Sequence, residues 1–63
     1  MKLLIYQRRG EKRISMRELA EKTGIGRSTL YDYEIGKTSP TLDNLEKIAK
    51  ALGVKIEDLY TTE

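Results

Sequence analysis

Cysteine and histidine are both absent from the 63 residues. Their absence excludes disulfides, the usual zinc sites and histidine-based acid or base catalysis, and nothing calls for an oxidising compartment. No apolar run approaches the roughly 20 residues of a membrane span, and residues 1–6 are too short and too soon followed by charge for a signal peptide. The expectation is a soluble, cytoplasmic protein without metal, cofactor or membrane partner. Alternating β-branched runs are missing too, so no strand is expected and the periodicity reads as helical throughout. A chain of this length holds one domain, residues 1–63, whose single core is only marginally stabilising unless its helices pack closely.

Charge is nearly balanced, with 12 Lys and Arg against 10 Asp and Glu, a net charge of +2. Its distribution is not. Residues 1–37 carry nine basic and five acidic side chains, whereas residues 38–63 carry three and five. One end of the chain is therefore attractive to phosphate. The same charges also serve simply to solvate a small helical protein, and charge alone does not decide between the two.

The stretch from Ile14 to Lys37 is the most informative. Ser15 is placed to accept a hydrogen bond from a first helical turn, and Glu18, three residues on, to reach back to the Ser15 N–H; this is a capping box. Ile14 and Leu19 flank it at the spacing of a hydrophobic staple, so a helix is expected from Met16 to about Thr23. Gly24 can take the left-handed conformation that ends a helix, and Ile25 with Leu30 repeats the staple for a second helix from Arg27 to about Glu34, closed at Gly36. Ala20, beside Leu19, leaves room for two helices to cross steeply. Residues 15–35 thus read as a helix-turn-helix unit.

Around this unit, a first helix is expected over about Lys2–Lys12, with Leu4, Ile5 and the stem of Arg8 or Arg9 facing the core and Gly10 weakening its end. Pro40 and Thr41 open a fourth helix, whose Leu42, Leu45, Ile48, Ala49 and Leu52 form an amphipathic stripe ending at Gly53. A short fifth helix over Ile56–Tyr60 would bury Ile56 and Leu59, with Val54 closing over the end of the fourth. Lys55 is a poor N-cap there, by about 1 kcal/mol, so this helix should fray.

Three blocks, SMRELAEKTGIGRSTLYDYEIGK, SPTLDNLEKIAKALGV and IEDLY, stand in the order and spacing of a known family. The chain resembles the Cro/C1-type helix-turn-helix regulators, the XRE family, over nearly all its length. The resemblance implies an all-α, compact five-helix bundle of the lambda repressor-like kind. It also implies a transcriptional regulator, a repressor first of all, that binds a double-stranded DNA operator and needs no catalytic chemistry. An alternative keeps the fold but uses it as a protein-interaction module, antitoxin-like or coactivator-like. An enzyme is not expected, because Asp32 and Glu34 have neither nucleophile nor metal-ligand set beside them.

The resemblance further implies that the helix from Arg27 enters the major groove. With Leu30 and Tyr33 facing inward, Arg27, Ser28, Tyr31 and Asp32 are the candidate base contacts. Arg27 can offer a fork of donors to guanine or else meet phosphate or solvent; Ser28 can donate or accept. Asp32 either accepts from cytosine or orients Arg27 or Ser28, and Tyr31 either meets a thymine methyl or a phosphate or is partly buried. Phosphate contacts are expected from the backbone near Ile35, Gly36 and Lys37, from the Lys37 side chain and from Arg17, in place of the polar residue the family often has where Met16 stands. Thr41 is either a further contact or only an N-cap. Arg9 and Glu34 match a structural ion pair of the family. Family members commonly bind as two-fold dimers; here a weak homodimer through Ile56, Leu59 and Tyr60, strengthened by DNA, is expected.

Overall fold

The computed structural model describes residues 1–62. In chain order these form strand β1 (Lys2–Leu3), helices α1 (Ile5–Glu11), α2 (Met16–Thr23), α3 (Arg27–Ile35) and α4 (Leu42–Leu52), a 3₁₀ turn (Ile56–Leu59) and strand β2 (Tyr60–Thr61). The three central helices lie where capping and staple signals place them. Ser15 Oγ accepts from the Glu18 N–H at 3.0 Å, and Thr41 Oγ1 accepts from the Asn44 N–H at 3.1 Å. Glu18 does not complete the capping box. Its carboxylate turns outward instead, 3.4 Å from Lys22 Nζ.

Ile5, Leu19, Leu30, Ile48 and Leu59 are wholly removed from solvent, one from each helical element. Burial of each such side chain stabilises by about 1.5–3 kcal/mol relative to exposure, so the core joins all the elements. Ile25, Tyr33, Leu45, Ala49 and Leu52 complete it, and Ile14, Met16, Ala20 and Val54 pack at its edge. The staple partners on both sides of the turn thus meet in one core.

The architecture is mostly helical, but the five-helix expectation is corrected at both termini. Lys2 and Leu3 form no helix; they pair antiparallel with Thr61 and Tyr60, and the Leu4 N–H donates to Leu59 O at 2.7 Å. Local periodicity cannot reveal a partner at the opposite end of the chain. The fifth element is a single 3₁₀ turn. Lys55 has no side-chain acceptor to cap it, although Asp58 accepts from the Lys55 N–H at 3.1 Å, and Tyr60 turns to extended backbone, φ −150°, to join β2. Gly10 lies in the last turn of α1, one residue before its end, and the left-handed residue that closes α1 is Arg13, φ 56°. Leu42, first in the α4 stripe, remains 77% exposed, whereas Leu45, one turn on, is buried in the core.

Candidate nucleic-acid interface

The turn between α2 and α3 is built from three short-range devices. Gly24, at φ 75°, closes α2 in a conformation that costs an L side chain about 1 kcal/mol. Thr23 Oγ1 donates to Leu19 O at 2.8 Å and accepts from the Ile25 N–H at 3.1 Å. Ile25 then drops into the core and Gly26 O accepts from the Leu30 N–H, opening α3. Thr23 escaped the reading of the sequence, although a Thr directly before a helix-ending Gly is the cue for such a bond.

With Leu30 and Tyr33 buried, α3 turns Arg27, Ser28, Thr29 and Tyr31 to solvent and leaves Asp32 half-buried. Three of the four candidate base-reading residues are thus exposed on one short helix. Tyr31 is 57% exposed, so it is not a partly buried helix residue. The Asp32 carboxylate makes no hydrogen bond to Arg27 or Ser28 among the described residues, and it stands free to accept from outside. Thr29 is a further exposed polar residue on this helix that the sequence did not single out. A helix of this kind, about 10–12 Å across, matches a major groove about 12 Å wide.

The segment after α3 differs from expectation in its donors. Gly36, φ 80°, ends the helix in a Schellman arrangement: the Gly36 N–H donates to Tyr33 O at 3.2 Å and the Lys37 N–H to Asp32 O at 2.9 Å. These two N–H groups are therefore occupied by the cap, which corrects their assignment as backbone donors to phosphate. What residues 35–41 keep available is the exposed Lys37 ammonium and the N–H groups of Ser39 and Thr41, which have no partner among the described residues. Thr41 serves as N-cap of α4, and its hydroxyl proton stays free while its oxygen accepts from Asn44. Arg17 is exposed in the first turn of α2, whereas Met16 packs on the core, which explains an apolar residue there.

Arg9 and Glu34 do pair, through Nε–Oε2 at 2.8 Å and Nη2–Oε1 at 3.2 Å. Arg9 Nη1 also donates to Ile14 O at 3.1 Å, and its guanidinium lies over the Tyr6 ring at 5.4 Å. The hydrogen bond to Glu34 raises the Arg9 pKa above its ordinary value, against the opposing effect of burial. One side chain thus ties α1, the α1–α2 turn and the end of α3 together. The proposed dimer patch fares differently: Leu59 is wholly buried, while Ile56 and Tyr60 are partly covered by the core. Leu59 is excluded because it anchors the 3₁₀ turn inside the domain.

Two capped helices joined by a glycine turn, the second with a polar face turned outward, define a helix-turn-helix protein. The chain belongs to the Cro/C1-type helix-turn-helix family, whose pattern matches residues 5–59. It is 41% identical over 61 residues to a protein named an uncharacterized HTH-type transcriptional regulator from Methanothermobacter thermautotrophicus, covering 95% of this chain and 88% of that one. It is 41% identical over 53 residues to the cryptic phage CTXphi transcriptional repressor RstR of Vibrio cholerae, covering 84% of this chain and 48% of the repressor. Among solved structures, the N-terminal DNA-binding domain of SinR from Bacillus subtilis superposes with a TM-score of 0.81 at 37% identity, over 94% of this chain and 90% of that domain.

Proposed function

We propose that this protein is a sequence-specific DNA-binding transcriptional regulator, and that it represses by occupying an operator and excluding other proteins from it. The observation that carries this reading is α3: a helix held rigidly by Leu30 and Tyr33 whose opposite side is polar, exposed and unpaired. Similarity to a phage repressor and to the SinR DNA-binding domain supports it. Arg27, Ser28, Tyr31 and Asp32 read bases; Arg17, Lys37 and Thr41 meet phosphate, with Ile35 and Gly36 shaping the backbone between. The mechanism is occupancy and calls for no catalytic step. No helix among the described residues is long and apolar enough to cross a membrane; the site of action proposed with this role is the cytoplasm.

Two copies bind neighbouring half-sites as a weak dimer strengthened by DNA, with the surface parts of Ile56 and Tyr60 in contact. The deciding experiment is selection of bound duplexes from a random library at near-physiological salt. An enriched motif is the expected result. A pool without enrichment would overturn the reading and favour a protein-interaction module on the same fold.

A further inference from the structure

The segment joining α3 to α4, residues 36–41, is fixed at its near end by the Gly36 cap and at its far end by Thr41. The Lys37 and Thr38 N–H groups both donate to Asp32 O, at 2.9 and 3.4 Å, but beyond them Pro40 has no N–H and the Ser39 N–H has no partner among the described residues, so no backbone bond sets the distance of residues 39–41 from α3. A single side-chain bond does so from outside: Asn44 Nδ2 donates to the Tyr33 hydroxyl oxygen at 3.0 Å. Tyr33 is a rigid anchor on α3, only 5% exposed. Asn44 is itself held, because its N–H donates to Thr41 Oγ1. At this third position of a helix a Glu or Gln would reach back to the N-cap N–H and close a capping box. Asn44 instead crosses to α3, leaving the Thr41 N–H open.

We propose that Asn44, acting through the Tyr33 hydroxyl, is a positioning residue that holds the phosphate-facing segment 36–41 in register with α3. The inference rests on the DNA-binding reading above. Neither side chain has to touch DNA. The pair sets the separation between groups that meet phosphate, Lys37 and Thr41, and groups that meet bases, Arg27 and Ser28. Losing it disturbs contacts that position the protein and spares those that read sequence.

The test uses Tyr33→Phe, Asn44→Ala and the double variant, against the duplex selected from the random library and a scrambled duplex, with phosphate-ethylation interference and thermal unfolding alongside. Tyr33→Phe keeps the buried ring, and Asn44→Ala places a strong helix former in α4, so the folded state survives. Each single variant should lose affinity for both duplexes alike, about three- to tenfold, as for one net hydrogen bond. The double variant should bind no worse than either single one, since both remove the same interaction. Interference should fade at the phosphates facing residues 36–41 while the selected base motif stays the same. A merely stabilising bond would lower the melting temperature and leave the affinity and footprint of the folded protein unchanged; that outcome, additive losses, or a changed base motif would overturn the inference alone. Wild-type protein that selects no motif would overturn the DNA-binding reading and this inference with it.

Discussion

Arg27 and Lys37 are both exposed cations, and under the proposed DNA-binding reading their surroundings suit them to different contacts. Arg27 opens α3 on a short, well-anchored helix, so its planar fork can be aimed; Lys37 stands beyond the Gly36 cap as a point charge on a flexible stem. Arg27→Ala should cost about 1–3 kcal/mol of binding and relax preference at one base pair. Lys37→Ala should weaken all sequences similarly and make the salt dependence shallower by about one unit. Salt titrations on matched and mismatched duplexes separate the two, and equal, sequence-blind losses from both would refute the role given to Arg27. Glu34 belongs to a different category, its side chain being 6% exposed and bonded twice to Arg9. Glu34→Gln strands a partly buried guanidinium and should cost about 3 kcal/mol of stability. Urea unfolding would show it, and weaker DNA binding by that variant should vanish once the unfolded fraction is subtracted.

Among the helices, α1 carries its conformational cost in an unusual place. Gly10 sits inside it, where nothing within 4 Å would meet a Cβ, while the left-handed position after it is filled by Arg13, φ 56°. The Arg13 N–H donates to Gly10 O and the Ile14 N–H to Arg9 O, both at 3.1 Å, the bonding pattern that glycine usually supports. Gly10→Ala should therefore stabilise by about 0.5–1 kcal/mol and Arg13→Gly by a similar amount. For so small a domain each corresponds to several degrees, about 4–8 °C per kcal/mol, readable by thermal melting. A drop in melting temperature for Arg13→Gly would mean that the cation's interaction with the α1 C-terminus outweighs the backbone cost.

For the whole molecule, the two ends of the chain are joined. β1 pairs with β2, Leu4 bonds to Leu59, and Arg8 Nε donates to Asp58 O at 2.8 Å, so the 3₁₀ turn is stitched to the N-terminus rather than left as a free helix. This inward use of Leu59 removes the apolar centre of the proposed dimer patch. The protein alone should accordingly sediment as a monomer, with two copies appearing on a duplex whose half-sites lie one turn, roughly 34 Å, apart. Occupation of only one half-site at high protein concentration would refute dimeric docking.

What was legible in the chain is what depends on neighbours a few residues away. Ser15, Gly24, Thr41 and Gly53 mark helix ends because capping is a local contest for backbone hydrogen bonds, and Ile14 with Leu19 or Ile25 with Leu30 point inward because staple spacing is local too. The polar face of α3 follows from the same periodicity. Tertiary structure alone decided the rest, where the partner is distant or the donor count depends on the turn adopted. Lys2–Leu3 became a strand because Tyr60–Thr61 came to lie beside it; Asn44 found Tyr33 rather than its own N-cap; and Gly36 and Lys37 gave their N–H groups to α3. Leu42 and Leu59 make the contrast plainest. Both are leucines on apolar stripes, and only the packing of distant elements leaves one in water and seals the other in the core.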